Sequence, residues 1–325
     1  MSARNELIDS VKGVAILLVV IGHIFDTGNF LFSFHMPLFF IFSGYFFKCK
    51  DLKQLIVDGF KRLVSPYAFT SLLILLFWLV YDIYKGSDFF RDYLIRVLWG
   101  SGSNSHTSLY FADIRSIGAI WFLLALFWCK IAYNVIARYI SNRLFQFVTI
   151  MAIFFLSVFL DRYYINLPFS ILPGLSSLIF YFIGVQIKIY NESLRVRKIE
   201  LLCILIWIVA AVYSSMSMAR CYYKCWPIDI LGAVGGSILV YQIVKFVYDK
   251  KRIPFFIWLG KNSLAILCFH CLEFKIQLLS RLNCTGFLML VLELLFCIGM
   301  TMYLGNYPRR AIKNSALPKK RFAKI

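Results

Sequence analysis

An all-α integral membrane bundle of about ten transmembrane helices, with both termini cytoplasmic, is the fold this sequence predicts, on three observations. The 325 residues are 61% hydrophobic and 18% aromatic but only 16% charged, with a mean hydropathy of +0.75. A soluble domain carries roughly 45–50% apolar and about 25% charged residues. The apolar residues gather in runs near the roughly 20 residues that span a bilayer as a helix. The basic residues divide unequally between alternate connections, 24 on the side holding both termini and eight on the other. The positive-inside rule then places the termini in the cytoplasm.

Runs of spanning length sit at about 7–26, 32–48, 64–84, 117–138, 143–160, 169–189, 199–218, 228–248, 256–279 and 286–305. The first has charge within it and no small-residue cleavage site after it, so it reads as a span rather than a signal peptide. A short polar turn, Asp26-Thr27-Gly28-Asn29, leads into the second, and the two form an antiparallel hairpin. The connection at about 85–116 is the one loop with content. Within it, Phe89 to Trp99 sets Arg91, Asp92 and Arg96 among aromatic and aliphatic residues, which suits a helix lying along the membrane interface. The polar stretch from Gly100 to Tyr110, with His106, reads either as a flap over an acceptor or as a solvated loop. The run at 143–160 is short, and 256–279 contains Lys261, Glu273 and Lys275. With no internal repeat, linker or soluble appendage, residues 1–325 read as a single transmembrane domain ending in a basic cytoplasmic tail, 306–325.

The formal net charge of +19 follows from the cytoplasmic excess of Lys and Arg and does not call for nucleic acid. The tail from Arg309 to Lys324 suits anionic membrane lipids. Nine cysteines are scattered, mostly inside apolar runs. Cys268-Phe269-His270-Cys271 looks like a ligand cluster but has no second pair at zinc spacing, so it reads as packing and no metal is expected. A disulfide among Cys221, Cys225 and Cys284, placed in outer loops, is one reading.

The chemistry centres on 9–44. At about 100° and 1.5 Å per residue, Lys12 and His23 lie within roughly 20° of one helix face and about 16 Å apart along the axis, with Asp9 roughly 40° away. Ionisable groups in a span face a protein interior or an aqueous cavity and mark function by default. His23 and His35 each stand six residues from Asn29, at matched depth. Transfer of an acyl group from a thioester to an alcohol needs a base such as imidazole and cations for the phosphates of a coenzyme A donor. Lys12, assisted by Lys61 and Arg62, meets the second need. His23 meets the first, with Asp9 or His35 orienting the site. Trp121 reads as a sugar platform or as a packing aromatic. Ser263 and His270, within roughly 20° of one face, either line an acceptor cavity or bond a neighbouring helix. Glu293 stands in the last run without an assigned cation.

These residues carry a resemblance. Asp9-x-x-Lys12-Gly13, Val19-Val20-x-Gly22-His23, Phe34-His35-Met36-Pro37-Leu38-Phe39-Phe40 and Ser43-Gly44 resemble the amino-terminal signature of the acyltransferase family 3 membrane proteins. The likeness continues through Arg62-x-x-x-Pro66-Tyr67, Trp121-Phe122-Leu123 and Leu259-Gly260-Lys261-Asn262-Ser263 to His270, and its pattern is nearest the fucose 4-O-acetylase-like subgroup. Ser65 stands where some members have a second arginine, and Leu267 where many have tyrosine. The resemblance implies a multipass inner-membrane enzyme moving acetyl or a related group from acetyl-CoA (acyl-CoA) to a carbohydrate or lipid-linked glycan acceptor. It makes Lys12 and His23 the essential pair and adds Asn262 to the candidate acceptor contacts. A transporter using buried Asp, Lys and His, or a polysaccharide flippase or polymerase component, is the alternative.

Overall fold

A computed structural model describes residues 6–25, 27, 29–107, 112–163, 165–190, 197–279 and 286–315. The chain runs through α1 (Glu6–Ile24), α2 (Asn29–Phe32), α3 (His35–Tyr45) and α4 (Leu52–Gly59), then a π-helical turn (Phe60–Val64) into α5 (Ser65–Lys85) and α6 (Phe89–Trp99). A small hairpin of β1 (Ser105–Thr107) and β2 (Ala112–Ile114) leads to α7 (Trp121–Tyr139), α8 (Arg143–Arg162), α9 (Ile171–Ser176), α10 (Leu178–Tyr190) and α11 (Arg197–Tyr213). A second hairpin, β3 (Met216–Ser217) with β4 (Tyr222–Tyr223), precedes α12 (Trp226–Lys250), α13 (Pro254–Lys261), α14 (Ser263–Ile276) and α15 (Gly286–Ser315).

Seven helical segments among the described residues are long and apolar enough to cross a membrane: α1, α4 through α5, α7, α8, α9 through Ile189, α12, and α15 as far as Leu304. The run expected at 256–279 is broken. Its halves α13 and α14 are bent by 72° and make an eighth span only if counted as one. At the break, Asn262 Nδ2 donates to the Trp258 carbonyl at 2.8 Å, a side-chain bond that competes with the helical ladder. The second and seventh runs become shorter apolar helices, Phe30–Tyr45 and Ile204–Tyr213. The seventh stops before 218 because Met216 and Ser217 pair with Tyr223 and Tyr222 instead.

Large apolar side chains are exposed on the outer helices, among them Phe155 and Phe159 on α8, Leu205 and Val212 on α11, and Leu288 and Leu295 on α15. Patches of this size mark a surface made for something other than water, and on a multipass bundle that surroundings is lipid. By contrast α1 is central, packed against α3, α12, α13, α14 and α15. Its acidic residues Glu6 and Asp9 lie in the first turn and His23 in the last, the order the helix dipole favours.

The contact between α1 and α13 sets how the bundle closes. A Cβ on Gly13 would stand 2.1 Å from the Phe256 carbonyl oxygen, and one on Gly260 would stand 1.7 Å from that of Asp9. The two backbones touch, so neither position has room for a methyl group. Gly260→Ala is therefore expected to cost about 1–3 kcal/mol through overpacking, read as a lowered melting temperature of the detergent-purified protein. An unchanged melting temperature would contradict the close approach.

Candidate active site

His23 stands in the last turn of α1, where its Nδ1 is 2.8 Å from the Val19 carbonyl oxygen. His35 opens α3 with its Nδ1 2.7 Å from the Leu31 carbonyl. A carbonyl can only accept, so each Nδ1 carries the hydrogen, and each neutral ring keeps its lone pair on Nε2. Both rings line one cavity of about 440 Å³, with Phe32 between them at 5.7 Å from His23 and 5.0 Å from His35. The matched depth read from the sequence thus becomes a shared wall.

The opposite wall comes from the connection after α6. Gly102, Ser103, Asn104 and Ser116 line the cavity, and the segment is bonded to itself. Ser116 Oγ donates to the Gly102 carbonyl at 2.8 Å, Ser116 N to Asn104 Oδ1 at 2.9 Å, and Ile117 N to the Ser101 carbonyl at 2.8 Å. Trp121 is buried, lines the same cavity and packs against Gly102. The side chain of His106 lies outside what the structure describes.

Lys275 of α14 closes this end. Its Nζ donates to the Ser116 carbonyl at 2.9 Å, and the ammonium is within electrostatic reach of His23. Gly118 permits the approach: its φ is +92°, and a Cβ there would stand 2.9 Å from Lys275 Cε.

Beside His23 is a third imidazole. The His270 ring lies edge-on to that of His23, centroids 5.0 Å apart, and His270 Nδ1 is bonded to the Glu293 carboxylate of α15. Both partners are 1% exposed. This answers which group Glu293 meets, and of the two readings of His270 the structure shows the bond to a neighbouring helix, with the ring beside His23.

Lys12 lines a smaller, mostly apolar cavity of about 180 Å³, with Ile16, Val19, Ser43, Ser263 and Leu267 among its walls. Met36 lines both cavities. The two cavities meet there, and α1, unbroken from Lys12 to His23, keeps those two residues about 16 Å apart. Ser263 and His270 do share α14, but Ser263 serves the Lys12 end and His270 the His23 end. Asn262 serves the helix break.

Asp9 is buried where α1 meets α13, fourteen residues and about 21 Å of helix rise from His23. The fold does not bring them together, and Asp9 belongs to the Lys12 end. Arg62 joins that end through Lys130 of α7, which lies within electrostatic reach of Arg62, Lys12 and Lys50. Asn134, one turn further on α7, explains the neighbourhood: its amide accepts from Lys50 N and donates to the Lys50 carbonyl, each at 3.0 Å. Lys61 and Arg62 are exposed and flank Asp58. Cys221 and Cys225 are free thiols, and Cys284 lies outside the described residues. Cys271 donates to the Ile117 carbonyl at 3.5 Å.

Lys130 escaped the sequence reading and Lys275 entered it only as a charge within a run, although a signal was present. Both lie inside apolar runs, where a cation needs an internal reason.

Two imidazoles on one cavity, the Lys275 ammonium beside them and a second, cationic end along α1 make up the candidate site. No solved structure matches the chain. Nodulation protein NolL of Sinorhizobium fredii (strain NBRC 101917 / NGR234) is 29% identical over 157 residues, 44% of this chain and 37% of that protein. The chain thus spans little more than a third of that relative's length. The family described as Acyltransferase domain matches residues 5–305. From α1, which carries Lys12 and His23, to α15, which carries Glu293, the chain belongs to acyltransferase family 3.

Proposed function

We propose that the protein moves an acetyl group from acetyl-CoA to a carbohydrate hydroxyl in surface polysaccharide or glycolipid biosynthesis. It works as a ten-span inner-membrane enzyme with cytoplasmic termini, nearest the fucose 4-O-acetylase-like subgroup. The observation that carries this reading is the pair of abutting cavities along α1, cationic at Lys12 and imidazole-lined at His23.

In this reading Lys12, Lys130 and Arg62 hold the donor's phosphates at the cytoplasmic end, and the pantetheine arm follows the apolar cavity past Met36. The acceptor hydroxyl sits at His23. As its oxygen attacks the thioester carbonyl, His23 Nε2 takes its proton, and the oxyanion that forms is stabilised by the Lys275 ammonium. The carbon–sulfur bond then breaks, the His23 imidazolium returns its proton to the departing thiolate, and ester and free coenzyme A result. Trp121 and Ser103 border the acceptor. The His270–Glu293 pair acts through His23: its carboxylate offsets the positive charge that His23 acquires, and its imidazole fixes the His23 ring.

Replacing His23 by Ala is expected to lower transfer by at least about 10²- to 10⁴-fold with membrane yield intact; normal turnover of radiolabelled acetyl-CoA by that variant would end the proposal. Glu293→Gln should lower kcat about 10- to 100-fold, the worth of a hydrogen bond to a charged group, and leave KM for acetyl-CoA in place, with partial rescue by Glu293→Asp. A kcat equal to wild type would show that the pair has no part in the reaction. Lys130→Gln should do the reverse, raising KM for acetyl-CoA about tenfold at constant kcat, and steady-state kinetics with varied donor decide it.

A further inference from the structure

A third cavity, of about 420 Å³, lies between α5, α6 and α14, and Phe274 and Lys275 line both it and the His23 cavity. It therefore continues the catalytic space past one partition. The volume is in the range of small-molecule sites, about 300–1,000 Å³.

One wall is aromatic. The Trp78 and Phe89 rings lie 4.8 Å apart and tilted by 37°, with Tyr81 5.9 Å from Phe89. The facing wall is polar. Arg96 is bonded to Asp92 one helical turn away, and Arg115 reaches the same carboxylate at 3.9 Å. Two polar atoms on this wall are buried without a hydrogen-bond partner among the described residues: Tyr93 Oη, on a side chain 2% exposed, and Arg96 Nε. Buried polar groups are nearly always paired, so two orphans beside one cavity ask for a ligand. Burial also pushes the Tyr93 phenol up, which keeps it an O–H donor at physiological pH.

The cavity is built before any ligand arrives. Asp82 at the end of α5 accepts from Phe90 N and Ser87 Oγ, each at 2.6 Å, and Tyr67 Oη donates to the Val97 carbonyl at 2.6 Å. These bonds lock α6 onto α5, and a preformed wall spares the ordering cost of binding.

We propose that this cavity is a saccharide subsite, holding the sugar residue next to the one acylated at His23. A pyranose presents a C–H face suited to Trp78 and Phe89 and a hydroxyl rim suited to Tyr93 Oη, Arg96 Nε and the Asp92 carboxylate. Asp92 offsets only part of the charge that Arg96, Arg115 and Lys275 bring to this wall, so it is the aromatic face, for which a phosphate has no use, that selects a sugar. The subsite rests on the acyltransferase reading above.

The test uses the full-length protein in nanodiscs, radiolabelled acetyl-CoA, and surface glycan of the producing cell stripped of its acyl groups by mild alkali. Trp78→Ala and Tyr93→Phe are each expected to raise KM for the glycan about tenfold, roughly one lost ligand hydrogen bond or ring contact, with KM for acetyl-CoA unchanged. Tyr93→Phe guards against misfolding, because its hydroxyl has no partner among the described residues to lose. Glycan KM values equal to wild type in both variants overturn the subsite. So does competitive inhibition by glycerol phosphate that disappears in Arg96→Gln, which would make the cavity an anion site. If the wild-type protein transfers no acetyl group to the glycan, the function proposed above fails and the subsite falls with it.

Discussion

A polar or charged side chain that cannot reach water must find its partner inside the bundle, and this constraint organises the molecule. The hydrogen bond from His23 Nδ1 to the Val19 carbonyl is its clearest expression. That carbonyl also closes a turn of α1, so the backbone itself sets the tautomer of the ring. His35 repeats the device on Leu31. His270 has a carboxylate rather than a carbonyl for its partner, so here the device brings a second ionisable group into the interior.

Around α1 the site has two ends of opposite character. One gathers ammonium and guanidinium groups from α1, α7 and the π-helical turn; the other gathers imidazoles from α1, α3 and α14. The break at Asn262 lets a single helix, α14, serve both, with Ser263 at the first and His270 at the second. The glycine contact between α1 and α13 holds the break against the axis. Straightening it would move α14 away from His23.

The connection after α6 shows how a polar loop becomes a wall. Ser101, Ser116 and Asn104 bond to its own backbone, and Gly118 brings Lys275 to its edge. Lys275 and Phe274 then divide the space at His23 from the aromatic space under α6. One partition thus separates a compartment suited to chemistry from one suited to holding.

The sequence by itself determined the class of the molecule and the axis of its site. Span length, apolar periodicity and the placing of Lys12 and His23 on one helix are local properties, readable over twenty residues. So is the helix at Phe89–Trp99, where charged and apolar residues alternate at helical spacing. What the tertiary structure decided is which buried groups meet. Glu293 finds His270 across 23 positions, and Lys130 finds Lys12 and Arg62. Pairings of this kind depend on how each helix is rotated against its neighbours. That rotation is set by contacts such as Gly13 on Phe256 and Gly260 on Asp9, which join residues far apart in the chain and leave no periodic trace in it.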